Sequence, residues 1–201
     1  MNGYLRLFIF GAVMVAATPA SAALNIFACT PEWGALAKEI GGDQTSVYVA
    51  TNALQDPHRV EARPSLIARA RSADLVVCTG AQLEIGWLPL VLTQAGNKKI
   101  QAGQPGNFEA ARSVTMLDVP ASVDRAQGDV HPGGNPHLHL DPRNIAKAAA
   151  ALGERMAQID AAAADGYRAR TKSFLERWRE AIARWEKEAA PLKAMPVVVY
   201  H

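Results

Sequence analysis

Short apolar runs and longer amphipathic stretches alternate through the first half of this chain. Leu24–Cys29, Ser46–Ala50 and Asp74–Cys78 are runs of five or six residues that read as strands, with Lys98–Gln101 a fourth candidate. Between them, Pro31–Gly41 reads as a helix with Thr30 as N-cap and Pro31 at its first position. Pro64–Ala73 and Leu83–Ala95 read as two more. Strands alternating with helices predict an α/β lobe, a parallel sheet with helices flanking it. Ligands of such sheets bind beyond the carboxyl ends of the strands.

The pattern then changes. Residues 118–136 are rich in Gly, Pro and Asp and read as loop, and Asp141-Pro142 opens a new helix with Asp141 as its cap. From about Ala161, Tyr167, Thr171, Phe174, Trp178, Ile182, Trp185 and Ala189 recur every three or four residues, while Arg and Glu cover the other faces. This predicts one helix about 42 Å long whose aromatic stripe is core. Pro191 and Pro196 stop it, and Val197–Tyr200 reads as a further strand.

Composition sets the compartment. Arg6, the apolar stretch Leu7–Ala17 and the small residues Ala20-Ser21-Ala22 read as a secretory signal over residues 1–22, cleaved after Ala22. About 11 apolar residues are too few for a membrane span, and no cysteine stands at the cleavage site to carry a lipid. Removing this segment takes away one charge, Arg6, and lowers the net charge from +2 to +1. That balance gives no support for nucleic-acid binding. The two cysteines, Cys29 and Cys78, each end an apolar run. An oxidising compartment permits a bridge between them, and neighbouring strands would place both at one sheet edge. The reading favours two buried thiols, and neither has the short spacing of a structural zinc site.

The candidate chemistry is in the histidines. His58 follows Asp56-Pro57, His137 follows Asn135-Pro136, and His201 follows Val199-Tyr200. Each borders a different apolar segment, and zinc sites are assembled from such ligands, distant in sequence and close in space. Proline ahead of His58 and His137 stiffens their loops. His139 and His131 are accessory candidates. On an extended segment His137 and His139 would point to opposite sides, leaving His139 outside the ligand set. His131 reads as a solvated loop residue before it reads as a residue that feeds metal inward.

Asp56-Pro57-His58 with Glu61-Ala62-Arg63-Pro64-Ser65, Gly134-Asn135-Pro136-His137 with Asp141-Pro142-Arg143-Asn144, and Val199-Tyr200-His201 together resemble one family. It is that of the zinc- and manganese-binding periplasmic proteins of metal ABC importers, and the resemblance covers essentially all of the chain after the signal. It implies an N-terminal lobe over residues 23–141, a helical linker over 142–190, and a second α/β lobe of which residues 196–201 are the start. It implies metal in the cleft, with His58, His137 and His201 as ligands, and delivery by a monomer to a membrane permease. Histidine at the third position goes with zinc, where glutamate goes with manganese. Family members continue past this third histidine into a lobe that supplies a fourth, acidic ligand. The chain therefore reads as truncated within that lobe, with an inactive remnant as the alternative. His137-Leu138-His139-Leu140-Asp141 also fits a string found in zinc hydrolases, but Pro142 breaks its continuation and Asp141 already caps a helix. The reading is a binding protein and not an enzyme.

Overall fold

The computed structural model describes residues 23–123 and 130–196. The signal segment, the strand expected at Val197–Tyr200 and His201 lie outside the described residues.

Four strands form one parallel sheet in the order β2-β1-β3-β4: β1 (Leu24–Ala28), β2 (Thr45–Val49), β3 (Leu75–Cys78) and β4 (Asn107–Glu109). Helices α1 (Pro31–Gly41), α2 (Pro64–Arg71) and α3 (Leu88–Ala95) connect them, and α4 (Pro142–Ile159) and α5 (Ala164–Ala189) follow. The alternation along β1 and β3 divides the core in two. Leu24, Ile26, Ala28, Leu75 and Val77 face Trp33 and Ile40 of α1, Leu152 and Met156 of α4, and Tyr167 of α5. Phe27, Cys29, Val76 and Cys78 face Leu66 of α2 and Val91 of α3, with Trp87. A strand with both faces covered has no polar side, which is why these runs are apolar apart from exposed Asn25 near the start of β1. The α/β architecture read from the sequence is the one observed. Among the described residues no helix is long and apolar enough to cross a membrane.

Several expectations are corrected. Lys98–Ile100 is a 3₁₀ turn and not a strand. Asn97 accounts for this: its side chain accepts from the Lys99 N–H at 3.0 Å and donates to the Ala73 carbonyl at 2.7 Å. The fourth strand starts at Asn107, pairing with Val76. Gly106 admits the chain there, since a Cβ would lie 2.5 Å from the Lys99 carbonyl oxygen. Helix α3 begins at Leu88 and not at Leu83. Gly80, Ala81 and Gln82 all have positive φ, and residues 79–87 form an arch of turns before the helix starts. The buried carboxylate of Glu84 holds the arch, accepting from the Thr79 N–H at 2.8 Å and the Gly80 N–H at 3.1 Å.

The cysteines, expected as separate thiols, form a disulfide. Cys29 and Cys78 follow one another across β1 and β3 at the carboxyl edge, with Cα atoms 4.9 Å apart, inside the range a disulfide spans. The aromatic stripe of α5 is core only at its start. Tyr167 and Thr171 are buried, Phe174 and Trp178 are half-buried, and Trp185 is 39% exposed. The helix outruns the lobe it packs on, so its second half lines a groove of ≈ 850 Å³ between α1 and α5 instead of a closed interior. In that groove Trp178 donates to the Pro142 carbonyl at 2.7 Å and stacks on Phe174.

Candidate metal site

Two copies of one local device present the histidines. In the loop after β2, a single Asp56 oxygen accepts the His58 backbone N–H at 2.9 Å and lies 2.7 Å from His58 Nδ1. In the loop before α4, a single Asn135 oxygen accepts the His137 backbone N–H at 3.0 Å and lies 3.1 Å from His137 Nδ1. The residue two positions back thus closes a turn and orients the ring at once, and the intervening proline fixes φ between them. An acceptor at Nδ1 places the proton there and turns the Nε2 lone pair outward, the arrangement found in most metal-ligating histidines. The His58 N–H, foremost, and the His58 ring hold the Asp56 carboxyl below the usual carboxylate range.

His58 Nε2 stands 3.2 Å from Nε2 of His131, with the ring centroids 5.2 Å apart. Two imidazoles on one tetrahedral zinc, at about 2.0–2.1 Å each, hold their nitrogens about 3.4 Å apart. The pair therefore already has nearly the bite of a zinc site. His131, expected in solvent, is partly buried against His58.

The arch beds both loops. Trp87 donates its indole N–H to the Pro57 carbonyl at 2.9 Å, and a Cβ on Gly86 would lie 2.8 Å from the His58 carbonyl oxygen. On the other side a Cβ on Gly133 would lie 3.4 Å from Ala81. Gly134, at φ +96°, turns the second loop under the Leu117 carbonyl, where a Cβ would stand 2.6 Å away.

His139 takes a different position. Residues 138–140 form a 3₁₀ turn and not an extended segment, so His137 and His139 are near neighbours, ring centroids 6.2 Å apart. His139 Nδ1 faces Glu32 Oε1 at 3.9 Å on the rim of the apolar groove, and it is buried with no hydrogen bond. Asp141 caps α4 as expected, accepting from the Arg143 N–H at 2.8 Å. His201 lies outside the described residues.

The paired Asx-Pro-His devices are the part that sequence reasoning missed. Proline stiffens each loop, and the side chain ahead of it is what orients each ring. The repeated spacing Asp56-Pro57-His58 and Asn135-Pro136-His137 was the available signal.

Comparison with known proteins supplies context. A family model described as zinc-uptake complex component A, periplasmic, matches residues 26–201. The metal ABC transporter substrate-binding lipoprotein ScbA of Streptococcus cristatus is 23% identical over 160 residues, covering 78% of this chain and 48% of that protein. The manganese ABC transporter substrate-binding lipoprotein scaA of Streptococcus gordonii is 22% identical over the same share. The chain thus spans about half the length of these curated relatives. A crystal structure of ZnuA superposes with a TM-score of 0.73 at 25% identity, covering 89% of this chain and 64% of that one. A Mn-bound periplasmic metal binding protein from Candidatus Liberibacter asiaticus shares the fold, with a TM-score of 0.65 at 17% identity, covering 81% of this chain and 55% of that one.

Proposed function

Because the chain belongs to the zinc-uptake complex component A family, we propose that it captures a divalent transition metal outside the cytoplasm and passes it to the membrane permease of an ABC importer. The single observation that carries this reading is the His58–His131 pair, two Nε2 atoms 3.2 Å apart on loops braced by one arch. His137 is the third ligand from this lobe's loops, on the second Asx-Pro-His mount, and His201 is the ligand from beyond the linker. We propose with it a cleaved signal over 1–22, a lobe over 23–141, a helical linker over 142–190 and the start of a second lobe over 196–201.

Zinc is the proposed cargo. An imidazole-rich set suits zinc, whereas manganese prefers carboxylate and water. Relatives that carry manganese in their names leave this choice to experiment. No bond is made or broken in this reading. The work is capture, docking as a monomer and release.

Native mass spectrometry of the purified chain in stoichiometric zinc and manganese tests it. One zinc per chain, retained in competition with manganese and lost in a His58→Ala/His137→Ala variant, is the expected result. A wild-type chain that holds neither metal would end the proposal, and preference for manganese would correct the cargo.

A further inference from the structure

A second group of ligand atoms lies apart from the histidines. Cys29 Sγ, Cys78 Sγ and a Glu84 carboxylate oxygen all fall within 4.8 Å of one another, and all three residues are buried. Among the described residues, this is where three His, Cys, Asp or Glu ligand atoms converge at that distance. A disulfide needs no carboxylate beside it, and burying one is costly unless it is compensated. The Glu84 carboxylate accepts from the Thr79 and Gly80 N–H groups and from the Thr79 side chain, which fix it beside the two sulfurs. A cavity of ≈ 480 Å³, lined in part by Cys78, Gln82, Glu84 and Glu109, leads to this group from outside.

We infer that the Cys29–Cys78 disulfide masks a divalent-metal site, in which the two thiolates and the Glu84 carboxylate would bind zinc once the bridge is reduced. The sulfurs lie at adjacent ends of neighbouring parallel strands, so rotation about the Cα–Cβ bonds opens them towards the spacing of about 3.8 Å that two thiolates take on one zinc. Water from the cavity completes a tetrahedron, and the two backbone N–H groups offset the negative charge at Glu84. Thiolate donors select zinc-like ions over manganese and magnesium, which sets this site apart from a carboxylate site for hard cations.

The chemistry balances with a phosphine as reductant. Its phosphorus gives two electrons to the S–S bond and takes up the oxygen of one water, becoming a phosphine oxide, and the two protons of that water end on the sulfurs. Zinc then displaces both thiol protons into solvent, along with the Glu84 proton where one is present.

The experiment uses the full chain carrying His58→Ala and His137→Ala, so that the histidine site is not on trial, reduced with a water-soluble phosphine and titrated with Co2+. Expected is a thiolate-to-cobalt charge-transfer absorption that saturates at one Co2+ per chain and is erased by zinc. It should be absent from the oxidised protein and from Cys78→Ser, and Glu84→Gln should weaken binding at least tenfold. Folding is followed by circular dichroism, and a reduced chain that loses its helical signal and regains it on adding zinc supports the site equally. Free thiols in a folded chain without that absorption overturn it. So do unchanged affinity in Glu84→Gln, a bridge that resists reduction while the protein is folded, and unfolding that zinc does not reverse.

Discussion

Asp56 and His58 are joined twice through one carboxylate oxygen, at 2.9 Å to the backbone N–H and 2.7 Å to the ring Nδ1. The first bond sets the loop and the second sets the ring, so removing the carboxylate frees both. Asp56→Ala is expected to lower zinc affinity by about tenfold or more, as loss of a group that orients a ligand usually does. Asp56 is exposed, so the melting temperature of the metal-free protein should move little. Calorimetric titration beside a thermal melt checks both, and unchanged affinity would remove Asp56 from the site.

The two accessory histidines separate cleanly. His131→Ala should weaken zinc by at least tenfold, about 1.4 kcal/mol, because its Nε2 already stands at ligand spacing from His58. His139→Ala should change affinity less than about twofold, since its ring is turned to Glu32. Equal losses in the two variants would show that the 3₁₀ turn at residues 138–140 rearranges when metal binds.

Gly86→Ala tests the arch. The new methyl would meet the His58 carbonyl oxygen at 2.8 Å and push the loop outward, so zinc affinity should fall several-fold. Gly96→Ala is the matched control. It has positive φ but open space around its Cβ, so it should cost about 1 kcal/mol of stability and leave zinc affinity alone. Urea melts and zinc titrations of both variants read the two effects separately.

Burial pushes the Glu84 carboxyl up from 4.5 to about 7. A carboxyl whose folded pKa is raised binds more protons folded than unfolded, so it adds stability in acid and loses it as pH rises. Between pH 4.5 and about 7, stability should decline by up to about 3 kcal/mol relative to Glu84→Gln, with no further decline from this group above pH 7. Urea melts of both proteins across that range measure the difference. A difference that does not change with pH would show that Glu84 ionises normally.

The Cys29–Cys78 bridge closes a loop across a sequence separation of 49. Constraining a loop of that length in the unfolded chain stabilises by about 4 kcal/mol in the chain-entropy model. Reduction should therefore lower the urea midpoint substantially, and a midpoint that does not shift would show that the bridge contributes nothing net.

The sheet was legible because β1 and β3 are apolar on both faces, and such runs have few alternatives to a buried parallel strand. Pro31, Pro64 and the cap Asp141 marked helix starts that the structure reproduces. The errors fall where local polar groups override periodicity. Asn97 bends Lys98–Ile100 into a turn that its apolar residue made look like a strand, and Glu84 ties up the N–H groups of residues 79–80 in an arch that looked like helix from Leu83. The bridge was not legible because it depends on strand order, which sets β3 against one edge of β1 and so brings Cys78 to Cys29. The histidines could be listed from the sequence. The pairing of His58 with His131 depends on how two loops meet over the arch, and that of His137 with His139 on a 3₁₀ turn where an extended segment was expected.

All four strands lie within residues 24–109, but the sheet face that holds Trp33 and Ile40 is covered by Leu152, Met156 and Tyr167. A chain made from its N-terminus can complete β1–β4 and the α2–α3 side while the α1 side still lacks α4 and α5. Any stage with a finished sheet but no α4 or α5 leaves that side bare, which is when a holding chaperone would have most to grip.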